Sequence, residues 1–141
     1  MFKKILVPID VTQSDSGVAG LKAAADLGAK SGAEFVLLNV ISPVPNLVAA
    51  QLPGNYLDSA QESASKVMDE MASKVGLKSG SYEIRTAQGG AYDEILSVAD
   101  SSGADLIVVA SHQPGLSDYL LGSTAAKIVR HAKISVLVVR D

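Results

Sequence analysis

The feature that most constrains the fold of this chain is a series of short runs of branched aliphatic residues, separated by segments with helical periodicity. Four runs are almost wholly apolar, as is typical of strands buried on both faces of a sheet: residues 4–8, 34–40, 105–111 and 134–140. A fifth, residues 82–87, alternates apolar and polar side chains, which favours an edge strand. The sequence therefore predicts five strands.

Helical patterns alternate with these strands, over residues 14–30, 56–75, 91–101 and 123–131. Met68 and Met71 lie on the apolar stripe of the second helix and are predicted to fill the core. Gly32, Gly76 and Gly103 follow the first three helices, where a helix commonly ends on a left-handed residue. The prolines of residues 42–55 predict an irregular or mobile connection after the second strand.

Alternation of strands and helices predicts a parallel α/β sheet covered by helices on both faces. Right-handed crossovers leave few topologies, and the simplest places the first strand at the centre, in the order 3-2-1-4-5. The length of 141 residues and the apolar content of 48% suit a single domain over residues 1–141 with a substantial core.

Composition excludes several classes of function. A net charge of −3 gives no basic face for nucleic acid, and the absence of cysteine excludes disulfides and thiolate chemistry. Pro8 and Asp10 interrupt the first apolar run, which does not fit a signal peptide. No run approaches the roughly 18 apolar residues of a membrane span. We therefore expect a cytoplasmic protein without nucleic-acid or membrane partners.

A ligand site is predicted where the winding of the sheet reverses, between the carboxyl ends of the first and fourth strands. Asp10 follows the first strand and offers acceptors for ribose hydroxyls or an adenine amine. Gly122, Ser123 and Thr124 begin the last helix, where backbone N–H groups, hydroxyls and the helix dipole suit phosphate. This pattern indicates nucleotide binding.

The same residues also fit plainer interpretations. Asp10 can cap the first helical region, and Gly122–Ser123 can be an ordinary helix start. The loop before Gly122 lacks the lysine of a P-loop and does not match G-x-G-x-x-G. His112 has no acid or nucleophile paired with it in sequence, so no catalytic residue is predicted. Gly89–Gly90 is expected to make a turn too far round the sheet to reach the ligand.

Four fragments together carry a resemblance to a known family: KKILVPID, DLIVVASH, YLLGSTAAKIVRHA and SVLVVR. Over essentially its whole length the chain resembles the universal stress proteins, and most of all the short bacterial subgroup with an ASH-x-P loop and YLLGS. The resemblance implies a Rossmann-like, adenine nucleotide alpha hydrolase-like fold. It also implies ATP binding, with or without Mg²⁺, and homodimers through strand 134–140, with tetramers as a further assembly.

The resemblance also implies site residues. ATP-binding members carry the pattern G-x2-G-x9-G-[ST]. Ala110 and Gln113 stand at its first two glycines, and eight residues instead of nine separate Gln113 from Gly122. Gly115 is expected to replace the missing glycine in a shifted loop. The implied contacts are Pro8, Ile9, Asp10, Val40, Val109, Ala110, Ser111, His112, Gln113, Gly115, Gly122, Ser123 and Thr124.

Two functions remain open at this stage. The first is an ATP-binding regulatory module of the stress response with at most slow hydrolysis, because the loop has no lysine or arginine to neutralise developing charge. Asp10 and Asp118 are its candidate acids for Mg²⁺. The second is a dimerisation module that binds no nucleotide and acts through partners, pairing by its apolar last strand. A flavodoxin or receiver domain is disfavoured, since the chain has no tryptophan and no aspartate after the third strand.

Overall fold

The computed structural model describes residues 1–111 and 121–140, which form a parallel five-stranded sheet with helices on both faces. The sheet order is β3-β2-β1-β4-β5, so the predicted topology is confirmed. The strands are β1 Lys4–Pro8, β2 Glu34–Ile41, β3 Tyr82–Gln88, β4 Leu106–Ser111 and β5 Ser135–Arg140.

The helices are α1 Ser14–Ala29, α2 Asn46–Ala49, α3 Tyr56–Lys74, α4 Ala91–Ser102 and α5 Ser123–His131, with a 3₁₀ turn at Val11–Gln13. Because successive strand residues point to opposite faces, the core has two halves. One half packs α1 and α3 against residues such as Val7 and Leu37, and includes the predicted core residues Met68 and Met71. The other half packs α4 and α5 against residues such as Leu38 and Val109.

The observed boundaries differ from the predicted ones by one residue at several ends, and in one segment the difference is larger. The connection predicted to be irregular contains a single helical turn, α2. Pro45 precedes this turn with φ −54°, a value that its ring imposes. The Pro45 carbonyl accepts from the N–H groups of Val48 and Ala49 at 2.9 Å each. No residue of α2 is buried, and Leu47 is 85% exposed.

The three glycines predicted to end helices all adopt left-handed backbone. Gly32, Gly76 and Gly103 have φ of 65°, 83° and 74°. A side chain is disfavoured in that region, so these positions define where α1, α3 and α4 end. Within the described ranges, no helix is long and apolar enough to cross a membrane.

Candidate functional site

A cleft of about 660 Å³ opens at the carboxyl end of the sheet, where the chain leaves β1 and β4 on opposite faces. Its walls come from the ends of β1, β2 and β4, the start of α5, and residues of α1, α3 and α4. The predicted switch point is therefore an open site in the fold.

The loop after β1 holds Asp10 at the rim of this cleft. The Ile9 N–H donates to the Leu38 carbonyl at 2.7 Å, which ties the loop to β2. Asp10 Oδ1 accepts from the Thr12 backbone N–H at 3.0 Å and from Thr12 Oγ1 at 2.6 Å. This is a local turn of the kind that aspartate favours. Asp10 therefore stabilises the local turn through Oδ1, as its plainer interpretation predicted. Its other oxygen, Oδ2, has no partner among the described residues.

The N-terminus of α5 forms the opposite wall. Gly122 precedes the helix with φ −58° and ψ 150°, and it supplies no side-chain cap. The Gly122 N–H donates to Ser111 Oγ at 3.2 Å, and the helix begins with the Ala126 N–H on the Gly122 carbonyl at 2.9 Å. The N–H groups of Ser123 and Thr124 therefore have no acceptor within the helix, and both residues line the cleft. This wall presents a partial positive charge.

Most of the residues predicted for the site lie together. His112, Gln113 and Gly115 fall outside the described residues, as does Asp118. The remaining ten predicted contacts all line the cleft: Pro8, Ile9, Asp10, Val40, Val109, Ala110, Ser111, Gly122, Ser123 and Thr124. Their contact with a ligand stays a prediction.

Sequence reasoning missed three polar residues of the cleft wall, Thr12, Asn39 and Ser42, and Asn39 is the buried one among them. Asn39 lies at the carboxyl end of β2 and is 6% exposed, and its Nδ2 donates to the Ile9 carbonyl at 2.8 Å. The signal in the sequence was a single amide within the apolar run FVLLNV. Strands buried on both faces carry few polar side chains, so such a residue indicates a specific partner or a site.

The cleft also extends further than the sequence suggested. Ala91 and Ile95 of α4 belong to its wall, whereas Gly89 and Gly90 do not line it, so the expectation that their turn does not reach the ligand stays a prediction. The first turn of α4 lies at the same edge of the sheet as the first turn of α5, because both helices follow strands that end there. Ala60 and Ala64 of α3 add small side chains on the other face.

The chemistry of this wall suits binding. Among the described residues that line it, Asp10 is the only ionisable side chain. In the described part of the chain, no group of three or more acidic, histidine or cysteine side chains is placed to hold a metal ion. Apolar side chains for a flat ring, a carboxylate oxygen for hydroxyls and exposed N–H groups for an anion are therefore what this wall offers.

Comparisons with known proteins agree with this architecture. A family model described as the universal stress protein family matches residues 1–140. Universal stress protein G of Shigella flexneri is 29% identical over 143 residues, which cover 99% of this chain and all of that protein.

Solved structures match over a similar extent. The hypothetical protein MJ0577 is 27% identical with a TM-score of 0.80, over 100% of this chain and 97% of that chain. A universal stress protein in complex with cAMP is 25% identical with a TM-score of 0.72, over 99% of this chain and 97% of that chain.

Proposed function

This chain belongs to the universal stress protein family, and from that premise we propose that it binds an adenine nucleotide, ATP in the first instance, in the cleft between β1 and β4. The observation that carries the proposal is the meeting of Asp10 with the uncapped N-terminus of α5 across one cleft. The similar universal stress protein solved with cAMP holds an adenine nucleotide, which supports the choice of base.

The order of the strands suggests how a nucleotide would lie. Phosphate oxygens would accept from the N–H groups of Ser123 and Thr124, over β4. Ribose hydroxyls would donate to Asp10 Oδ2, over β1, and the base would lie against Val40, over β2. Neighbouring strands are about 4.8 Å apart, so β4 and β2 are separated by about 10 Å, which is comparable with the extent of a nucleotide from phosphate to base.

We propose that bound ATP turns over slowly or not at all. Phosphoryl transfer requires positive charge at the transferred group, and the described wall has no lysine, arginine or histidine. Asp10 is the single described carboxylate available to Mg²⁺, so a metal ion would be held mainly by phosphate oxygens and water. Such a site would bind the nucleotide as a regulatory ligand and would not use its hydrolysis.

The test is to purify the protein, denature it and identify released nucleotide by chromatography, and then to titrate the empty protein with ATP with and without Mg²⁺. We expect an adenine nucleotide in the extract or a saturable ATP isotherm. An empty extract together with no binding at 1 mM-scale ATP, roughly the level of a −4 kcal/mol interaction, would rule the proposal out.

A dimerisation module without nucleotide is the second candidate, and the edge strand β5 favours it. Among the described strands β5 pairs only with β4, so no described strand covers its outer edge, and Val136 and Val138 are only partly buried. Two such edges can pair about a twofold axis. We propose a homodimer under either function. The nucleotide content of the extract distinguishes the nucleotide-binding function from the dimerisation module.

A further inference from the structure

We propose that Asn39 selects the base of the nucleotide, with its Oδ1 accepting a hydrogen bond from an amine at position 6 of the purine. The inference rests on the proposed function, since it assigns a residue to the base within the same cleft. It adds a specificity determinant that neither the sequence pattern nor the family resemblance supplied.

The orientation of the Asn39 amide follows from its partner. A carbonyl oxygen only accepts, so the Ile9 carbonyl 2.8 Å away must face Nδ2. The planar amide then directs Oδ1 away from Ile9. The bond joins the end of β2 to the loop that carries Asp10, so the side chain is held in one orientation before any ligand arrives.

The Oδ1 atom of Asn39 is left as an acceptor for a further hydrogen bond. No group among the described residues donates to it, and Asn39 lines the cleft. The described part of the chain has no fully buried side-chain nitrogen or oxygen without a partner, so an unpartnered Oδ1 is one that solvent or a ligand can reach. A ligand that covers this acceptor must offer a donor in place of water, because an acceptor that is buried without a donor is costly.

The position of Asn39 assigns it to the base instead of the phosphates. Pro8 pairs with Leu38 in the β1–β2 register, so Asn39 lies one residue beyond that pair, on the side of β1 away from α5. Ala60 and Ala64 also line the cleft, and their small side chains leave room for a flat ring. Phosphates at α5 therefore place the base at Asn39.

An acceptor at this point discriminates between purines. The amine at position 6 of adenine donates, whereas the oxygen at that position of hypoxanthine only accepts and would face Oδ1 unfavourably. Sites that pair a buried polar group with a substrate reject analogues that leave the group unpaired. We expect ATP to bind about tenfold or more tightly than ITP, from one hydrogen bond gained or lost.

The experiment measures dissociation constants of the full chain for ATP, ITP and purine riboside triphosphate, which lacks any group at position 6. Wild type should prefer ATP over both. In Asn39→Leu the ratio of the ITP to the ATP constant should fall by about tenfold. Asn39→Asp keeps an acceptor and should retain the ratio while binding all three more weakly. Asn46→Leu makes the same change at an exposed residue outside the cleft and should leave the ratio unaltered.

The outcomes separate this inference from the proposed function. Binding of all three nucleotides with equal affinity, or an unchanged ratio in Asn39→Leu, overturns the role of Asn39 and leaves nucleotide binding standing. Failure of wild type to bind any of them overturns both. If Asn39→Leu does not fold, the wild-type series and Asn39→Asp decide: loss of the ratio in Asn39→Asp contradicts the assignment.

Discussion

Single polar side chains secure both ends of the central strand β1. At its start, Asp105 accepts from the backbone N–H of Lys3 at 2.9 Å and from that of Lys4 at 3.0 Å. At its far end, Asn39 holds the Ile9 carbonyl. Strand β1 is thus fixed at the edge away from the cleft by a carboxylate and at the cleft by an amide, and each can be tested by one substitution.

Asp105→Asn should change the acid stability of the protein. Burial acts to raise the pKa of the Asp105 carboxyl, but the N–H groups of Lys3, Lys4 and Asp105 and the charged N-terminus together hold that pKa below its usual 3.8. A lowered pKa contributes stability that is present above the usual value and is lost as the pH falls through the folded value. We expect the variant to lose about 1 kcal/mol of unfolding free energy at pH 7 and to lose less than wild type on further acidification below pH 4.

Urea unfolding between pH 2.5 and 7 checks this expectation, and Asp100→Asn, a similar change at an exposed position of α4, is the control. The control should follow the wild-type curve. Coincident curves for all three proteins would show that the Asp105 hydrogen bonds carry no net stability.

Among the elements, α5 is the one whose N-terminus faces the candidate site. It is a nine-residue helix that starts at the cleft without a side-chain cap and ends with Arg130 and His131 in its last turn. The positive charge of Arg130 at that end complements the helix dipole, whereas the N-terminal end has no acidic residue in its first turn. The helix is therefore compensated at one end and open to an anion at the other.

Ser123→Asp separates a phosphate-binding end from an ordinary helix start. A carboxylate in the first turn should leave the thermal stability unchanged or raise it, by about 0.3–1 kcal/mol. The same charge should repel a nucleotide phosphate and weaken ATP binding about tenfold or more. Calorimetric titration and thermal unfolding measure the two effects.

Ser59→Asp is the matched control, because Ser59 is an exposed residue in the first turn of α3 and is absent from the cleft wall. It should bind ATP as wild type does. Equal ATP affinity for Ser123→Asp and wild type would place the phosphates elsewhere.

At the scale of the whole molecule, the sheet order separates the ligand site from the surface available for assembly. The central strands β1 and β4 create the cleft, while β3 and β5 are the two edges. Arg85 and Glu83 form an ion pair at 3.1 Å on β3, whereas β5 reads SVLVVR. Charged side chains deter edge pairing and apolar ones allow it, so β5 is the edge suited to a second copy.

Val138→Lys should therefore weaken a homodimer. Near a twofold axis each introduced lysine lies close to its own symmetry copy or to the partner's apolar edge, and both situations are unfavourable. We expect wild type to sediment with the mass of two chains and the variant to shift toward one. Val129→Lys, at a 47% exposed position of α5, should remain dimeric. Sedimentation of wild type with the mass of one chain would contradict the proposed homodimer.

Much of this molecule was determined by the sequence alone, because the deciding forces are local. Apolar runs and helical stripes predicted every strand and every long helix, and the left-handed φ of Gly103 follows from a glycine after a helix. Even the order 3-2-1-4-5 required only alternation and the handedness of crossovers. Asp10 and Gly122 could be predicted to line the cleft because the switch point follows from that order.

Only the tertiary structure decided what depends on residues distant in the chain. The amide of Asn39 could be oriented only once the register of β1 and β2 brought the Ile9 carbonyl to it. The position of Ala91 of α4 in the cleft wall depends on how that helix packs. The helical turn at α2 depends on backbone hydrogen bonds that no periodicity of the sequence predicts. The sequence thus predicted where the cleft lies, whereas the contacts between distant strands and helices determined which side chains line it.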